Sequence, residues 1–161
     1  MKKHLFFILF FVTVVLAFVS CDLKAVMSPS IRTASQAIRT DTAGIKDTIF
    51  LSDSLHIGDT VRLSVILDGY YDYLTAFGLS VDTVNVSAAV EWSDEYKYVL
   101  AEDADPEHGK ITFLPDKVYG CYTTIRYIPL HSGTFRIDMK LVSAAQAPYS
   151  TMQNHFFIAV K

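Results

Sequence analysis

The clearest pattern in the chain is an alternation of apolar and polar residues between positions 123 and 142. Apolar residues recur at every second position on both sides of a short segment that runs from Pro129 to Gly133. This period of two is typical of strands with one buried and one solvated face. Pro129 cannot donate a hydrogen bond to a neighbouring strand, and Gly133 tolerates a positive φ. The pattern therefore predicts a β-hairpin whose apolar face packs against the other strands.

Similar alternation recurs between Asp47 and the C-terminus, with turn residues roughly every 8 to 15 positions and no long helical pattern. We predict an all-β fold, namely one antiparallel β-sandwich of about seven or eight strands over residues 47–161. The strand candidates outside the hairpin are 48–51, 61–67, 74–81, 84–90, 110–114 and 156–160.

The hairpin contains the spaced residues Tyr127, Pro129, Gly133, Phe135, Ile137 and Met139. This pattern resembles the late-strand hairpin of filamin-type and related immunoglobulin-like domains. The resemblance covers about a fifth of the chain and implies an immunoglobulin-like sandwich, a fold that hosts many unrelated functions. The segment 47–161 holds a single cysteine, Cys121, and so lacks the inter-sheet disulfide of antibody domains. We expect Cys121 to be a small buried residue; the alternative is a reactive thiol.

Residues 1–20 are predicted to be an export signal. Two lysines precede an apolar segment at 5–19, which is shorter than the ~20 residues of a membrane span. The segment leads into the sequence AFVSC at positions 17–21, which resembles a bacterial lipobox. The resemblance implies that Cys21 is lipidated and becomes the first residue of the mature protein. An ordinary cleaved signal and an uncleaved anchor are the alternatives.

Residues 21–46 are predicted to be the lipidated cysteine and a flexible tether, because they are rich in Ser, Thr and Ala and show no sustained period. We expect a lipid anchor in the outer membrane, with the periplasmic side favoured over the cell surface. Loss of the signal leaves 12 of the 14 basic residues against 17 acidic ones, a net charge of −5. This charge provides no basic surface, so no nucleic-acid partner is expected.

Aromatic residues form two candidate binding groups. Tyr70, Tyr71 and Tyr73 lie at a predicted loop and are suited to an aromatic platform for sugar rings. The alternative is that alternate tyrosines enter the core as the next strand begins. Trp92 and Tyr96 fit a binding surface and a core equally well.

The segment 91–107 contains all four glutamates of the protein. Within it, Asp103, Asp105 and Glu107 occupy alternating positions and offer oxygen ligands to Ca²⁺, although the spacing is not that of an EF-hand. The alternative is a solvated acidic loop. Two of these carboxylates would also suit the acid and base of a glycosidase, if their separation allowed it.

Asp-Ser/Thr-aliphatic triplets occur five times between positions 41 and 84. They resemble the acceptor signature of periplasmic O-glycosylation in certain gut anaerobes, which implies modification of the exposed copies. The alternative is turn chemistry, because Asp-Thr suits strand starts and caps. The acceptor residues would be Thr42, Thr48, Ser54, Thr60 and Thr83.

The sequence contains none of the motifs G-x-S-x-G, H-E-x-x-H, G-x-G-x-x-G or C-x-x-C, and no P-loop. We therefore expect a non-catalytic cell-envelope lipoprotein, with no cofactor unless Ca²⁺ binds the acidic segment. We expect its sandwich to recognise an envelope or secreted protein through an exposed sheet edge or end loops. The alternatives are a glycan-binding module that uses the tyrosine cluster and a hydrolase that uses the acidic segment.

Overall fold

The computed structural model describes residues 26–161, apart from the side chains of 94–96. The predicted signal peptide and Cys21 lie outside the described residues. The described residues form eleven strands and two short 3-10 helices, Asp94–Val99 and Pro106–His108. In chain order the strands are β1 (Ser30–Thr33), β2 (Gln36–Thr40), β3 (Lys46–Phe50), β4 (Ser54–Leu55), β5 (Thr60–Asp68), β6 (Leu74–Val81), β7 (Val86–Glu91), β8 (Lys110–Thr112), β9 (Gly120–Pro129), β10 (Gly133–Ser143) and β11 (Thr151–Val160).

The strands form two sheets. The first has the order β3-β2-β5-β9-β7, with β1 also paired to β5, and the second has the order β4-β11-β10-β6-β8. The pairings are antiparallel except that of β4 with β11. The prediction of an all-β, largely antiparallel sandwich is confirmed. The strand number is higher than predicted, because strands of two or three residues, such as β4 and β8, are too short to show alternation.

The core lies between the two sheets and follows the alternation of the long strands. On β5 every second side chain, from Val61 to Leu67, is fully buried, while Arg62 and Ser64 face solvent. Burial of each such aliphatic side chain contributes about 1.5–3 kcal/mol. The same alternation on β9 and β10 places Tyr127 from one sheet and further apolar side chains from the other in the shared core.

The predicted hairpin is wrong in its pairing, although both of its strands are present. Strand β9 pairs with β5 and β7, whereas β10 pairs with β6 and β11, so the connection between them crosses from one sheet to the other. Neighbouring loops hold this crossing: Leu130 N donates to Asn85 O, and Gly58 N donates to Pro129 O. Gly133 begins β10 with φ of 136°, a conformation that residues other than glycine rarely adopt. A period of two identifies the buried face of a strand but does not identify its partner.

Strands β1 and β2 lie within the residues that the sequence predicted to be tether. Strand β1 pairs with the last half of β5, placing Ile31 opposite Leu67, and β2 pairs with the first half of β5. Ile31 and Ala37 are the buried residues of these two short strands. The remaining residues are polar or exposed, and one buried side chain per strand is too few to produce a detectable period. The sheet therefore begins at Ser30 rather than near Asp47.

Replacing Ile31 tests whether β1 belongs to the folded domain. We expect Ile31→Ala to lower the free energy of unfolding by about 2–4 kcal/mol, because it leaves a cavity against β5. Val26→Ala, at an exposed position, is the matched control and should change it by less than about 0.5 kcal/mol. Urea titration monitored by circular dichroism measures both. Equal, negligible effects would show that residues 30–33 behave as a tether.

Cys121 is buried in β9 opposite Leu67, as the sequence predicted. Burial raises the pKa of its thiol from 9.0 to about 12. Between about pH 9 and 12, the Cys121 thiol therefore keeps its proton in the folded protein and loses it in the unfolded chain. The resulting contribution to stability is complete below about pH 9 and is lost as the pH rises toward 12.

We expect the free energy of unfolding to decrease between about pH 9 and 11, and to decrease less steeply in Cys121→Ala. Burial also raises the pKa of Tyr127, so part of the decrease will persist in the variant. Denaturant titrations of both proteins at several pH values provide the two slopes. Identical slopes would contradict a protonated, buried thiol.

Candidate functional site

The first candidate surface is the edge of the first sheet formed by β3. In the described part of the chain β3 pairs with β2 alone, so its other side has no strand neighbour. Ile38 on β2 and Phe50 on β3 project from the outer face, with exposed fractions of 52% and 54%. Ile38 lies opposite Thr48, two positions from Phe50 on the same face, so the two side chains are diagonal neighbours. Together they form an apolar surface beside an open edge.

The two ends of β3 differ in their hydrogen bonding. At its start, Arg39 on β2 donates to Asp47 across the ladder at 2.9 Å. At its end, Phe50 N donates to the Asp53 carboxylate at 2.8 Å, and Asp53 N donates back to Phe50 O at 3.0 Å. The turn after β3 thus already satisfies the main chain of Phe50. The middle of the strand is the part where a further strand can pair.

Of the other sheet edges, two are short, one is covered in part and one is long and largely open. Strand β4 has two residues and β8 has three. Strand β7 is longer, but the 3-10 helix Pro106–His108 lies against it. Arg126 on β9 binds Glu91 on β7 and Glu107 on this helix, at 3.6 and 3.4 Å respectively. The edge of β11 is long and largely open, since β4 pairs only with Ala159 and Val160 of its ten residues. The edge of β3 differs from it by the neighbouring apolar pair of Ile38 and Phe50.

The second candidate surface is the end of the sandwich where β5 meets β6. Gly69 makes the reversal, since a Cβ there would lie 2.2 Å from Asp72 O. Tyr70 follows with φ of 56°, an uncommon left-handed conformation for a bulky residue, and its N–H donates to the Asp68 carboxylate. Gly69 N also donates to Tyr119 O, which joins this loop to the segment before β9. We call this region, with its exposed tyrosines, the tyrosine end.

The three tyrosines predicted as a sugar platform differ in their surroundings. Tyr71 is well exposed and Tyr70 less so. Tyr73 is half-buried and stacks on Tyr119, with ring centroids 4.1 Å apart and planes inclined by 26°. A hydrogen bond with Tyr119 is the main cause that raises the pKa of Tyr73 above its ordinary value. The predicted triplet is therefore one part of a larger aromatic group that the sequence order does not reveal.

The remaining predicted aromatic residues are not part of a common platform. Trp92 is half-buried and packs against the edge of the core, with its ring centroid 5.7 Å from that of Phe113. The side chain of Tyr96 is outside the described part. For Trp92, the structure agrees with the alternative of a core residue.

The three acidic residues predicted as calcium ligands are bound to separate partners. Asp103 accepts hydrogen bonds from Lys110 at 3.0 Å and from Thr112 at 3.2 Å. The hydrogen bond from Lys110 is the main cause that lowers the pKa of Asp103. Glu107 instead accepts from Arg126 at 3.4 Å.

Asp105 is the N-cap of the 3-10 helix Pro106–His108. Its carboxylate lies 2.8 Å from His108 Nδ1, which lowers the pKa of Asp105 and raises that of His108. Both side chains are at least half exposed. Across residues 26–161, no three acidic, histidine or cysteine side chains are grouped as a metal site would require. The predicted Ca²⁺ site is thus not assembled by the described side chains.

The Asp-Ser/Thr triplets lie at turns or on an edge strand. Asp41 accepts from the backbone N–H groups of Ala43 and Ile45, and Asp82 accepts from that of Val84. Asp53 and Asp59 accept from backbone groups three residues earlier. These bonds support the turn-chemistry interpretation. Of the predicted acceptors, Thr42, Thr48 and Thr83 are exposed, whereas Ser54 and Thr60 are half-buried, so O-glycosylation stays a prediction for the exposed three.

No helix in residues 26–161 has the length and apolar character needed to cross a bilayer. No protein-family model and no curated protein matches the sequence. Among solved structures, the chain is similar to a DUF4466 family protein from Parabacteroides merdae, at 9% identity and a TM-score of 0.44. The match covers 83% of this chain and 45% of the other, so the chain spans less than half the length of that protein.

Proposed function

We propose that this protein is an exported, lipid-anchored envelope protein that binds another protein by adding a strand to the edge of β3. The observation that supports this best is the open edge of β3 beside the exposed pair Ile38 and Phe50. An immunoglobulin-like sandwich attached through Cys21 to the periplasmic side of the outer membrane fits the lipobox resemblance. The role is one of recognition rather than catalysis.

Strand addition uses main-chain hydrogen bonds for affinity and side-chain contacts for specificity. The middle of β3, around Thr48, would supply the main-chain groups. The outer apolar surface of Ile38 and Phe50 would receive alternate side chains of the added strand. Lys46 and Asp47 are charged residues of the kind that blunt an edge against indiscriminate pairing. They would restrict the partner to a strand whose own charges complement them.

Loss of the Phe50 side chain should weaken partner capture. We expect Phe50→Ala to reduce recovery of the partner about tenfold or more, because truncating a hot-spot residue at the centre of an interface costs about 2 kcal/mol or more. The measurement is crosslinking in living cells, purification through a tag at Lys161, and quantitative mass spectrometry of the captured proteins. A denaturant titration should show unchanged stability within about 0.5 kcal/mol.

Phe157→Ala is the matched control for this experiment. Phe157 is as exposed as Phe50 but lies on the outer face of the second sheet, opposite Arg136 on β10. Its variant should capture the partner at the wild-type level. Equal losses in the two variants would contradict binding at β3, and recovery of the protein without any partner would contradict the function itself.

A further inference from the structure

Every tyrosine that is exposed in the described residues lies toward one end of the sandwich, whereas Tyr127 is in the core. Hydrogen bonds connect the segments that carry them. Ala144 N in the β10–β11 connection donates to Tyr73 O, and Leu114 N donates to Val99 O at the end of the first 3-10 helix. The exposed tyrosines are Tyr70, Tyr71, Tyr98, Tyr119, Tyr122 and Tyr149.

The chain enters the sandwich at this same end. Strand β1 begins with Ser30 opposite Asp68, two residues before Tyr70. Val26 and Met27, which precede β1, are exposed apolar residues. The direction of β1 along β5 then carries the chain toward the opposite end. Any attachment point before residue 26 therefore connects to the tyrosine end first.

The distance available to an anchor is short. Eight residues separate Cys21 from Ser30. Fully extended, this span reaches at most about 30 Å. A lipid on Cys21 would hold the tyrosine end, and not the opposite end, next to the bilayer.

Tyrosine suits that location because its ring is apolar and its hydroxyl is polar, so it is enriched at the level of lipid headgroups. The charges of this end are mixed. Arg32 binds Asp68 at 3.4 Å, and Asp72, Asp116 and Lys117 lie in the connecting loops. This balance gives no preference for anionic lipid and fits a zwitterionic headgroup layer.

The backbone of this end is set in an uncommon conformation. Tyr70 and Asp116, on adjacent connections, both have positive φ, at 56° and 55°. Non-glycine residues adopt this region at a cost, and they do so where the surrounding structure holds them. At Tyr70, the hydrogen bond from its N–H to the Asp68 carboxylate helps to hold this conformation.

We propose that the tyrosine end rests in the headgroup layer of the membrane that holds the lipid on Cys21. This inference relies on the lipid anchor of the proposed function. It fixes the orientation of the domain: the β2–β3 turn and the β6–β7 loop, with exposed Ile45 and Val84, point away from the bilayer. The edge of β3 then stands clear of the surface and open to a partner.

The test uses the full-length acylated protein in vesicles of phosphatidylethanolamine with a minor share of phosphatidylglycerol. Tyr71→Cys and Val84→Cys each introduce one exposed thiol, at the tyrosine end and at the opposite end. Cys121 is buried and stays unlabelled. A fluorophore at each position is quenched by nitroxide attached to lipid headgroups. We expect quenching at position 71 to exceed that at position 84 at least threefold.

Two further measurements separate the proposed anchor from the proposed orientation. Flotation shows whether the protein is attached to the vesicles, and the intact mass of the protein shows whether Cys21 is acylated. A chain that lacks acyl groups and does not float would overturn the anchor and with it the proposed attachment. A chain that floats but shows equal, weak quenching at both positions would overturn only the orientation. A further outcome is that headgroup nitroxide does not quench the fluorophore at position 71, while soluble oligosaccharide shields it from solvent. That result would overturn the orientation and indicate glycan binding at the tyrosine end.

Discussion

The apolar contact between the two sheets holds this domain together and determines where its other features lie. Strand β5 supplies four fully buried side chains, from Val61 to Leu67, and lies at the centre of its sheet, where β1, β2 and β9 pair with it. Because one face of each long strand is committed to this core, the charged residues gather on the outer faces. There Arg62, Glu91 and Arg126 form ion pairs that link β5, β7 and β9. Such exposed pairs contribute little to stability, so most of the stabilisation comes from the buried core.

The two candidate surfaces follow from how the chain joins this core. Residues 30–40 fold onto β5 instead of forming a tether, which has two consequences. Strand β2 carries β3 outward and leaves it as an open edge with Phe50 exposed. Strand β1 brings the N-terminal side of the domain to the tyrosine end. The packing of residues 30–40 on β5 thus separates the surface of the proposed partner strand from the surface of the proposed anchor.

The sequence predicts the faces of the long strands well, because one buried side in β5, β9 and β10 imposes a clear period of two. It does not predict partners, since the same alternation fits a hairpin and a crossing between sheets. Strands β1 and β2 escape detection because Ile31 and Ala37 are their only buried residues. The tyrosine cluster is predicted in part: Tyr70 and Tyr71 are adjacent in sequence.

Other members of the aromatic group come from distant positions. Tyr119, Tyr122 and Tyr149 reach the same end only through the topology of the two sheets. The acidic segment shows the reverse case, in which residues near in sequence diverge in space. Alternation places Asp103, Asp105 and Glu107 close along the chain, but Lys110, His108 and Arg126 bind them separately. Spacing alone does not identify a site whose residues have competing partners.

Native-state hydrogen–deuterium exchange of the protein tests whether the folded domain begins at Ser30. We expect the amides of β1 and β2 that pair with β5 to be protected well above the level of an unstructured chain. Amides of β5 and β9, in the middle of the sheet, should exchange slowest. Exchange of residues 30–40 at the rate of an unfolded peptide, beside a protected β5, would contradict a domain that begins at Ser30 and restore a long tether.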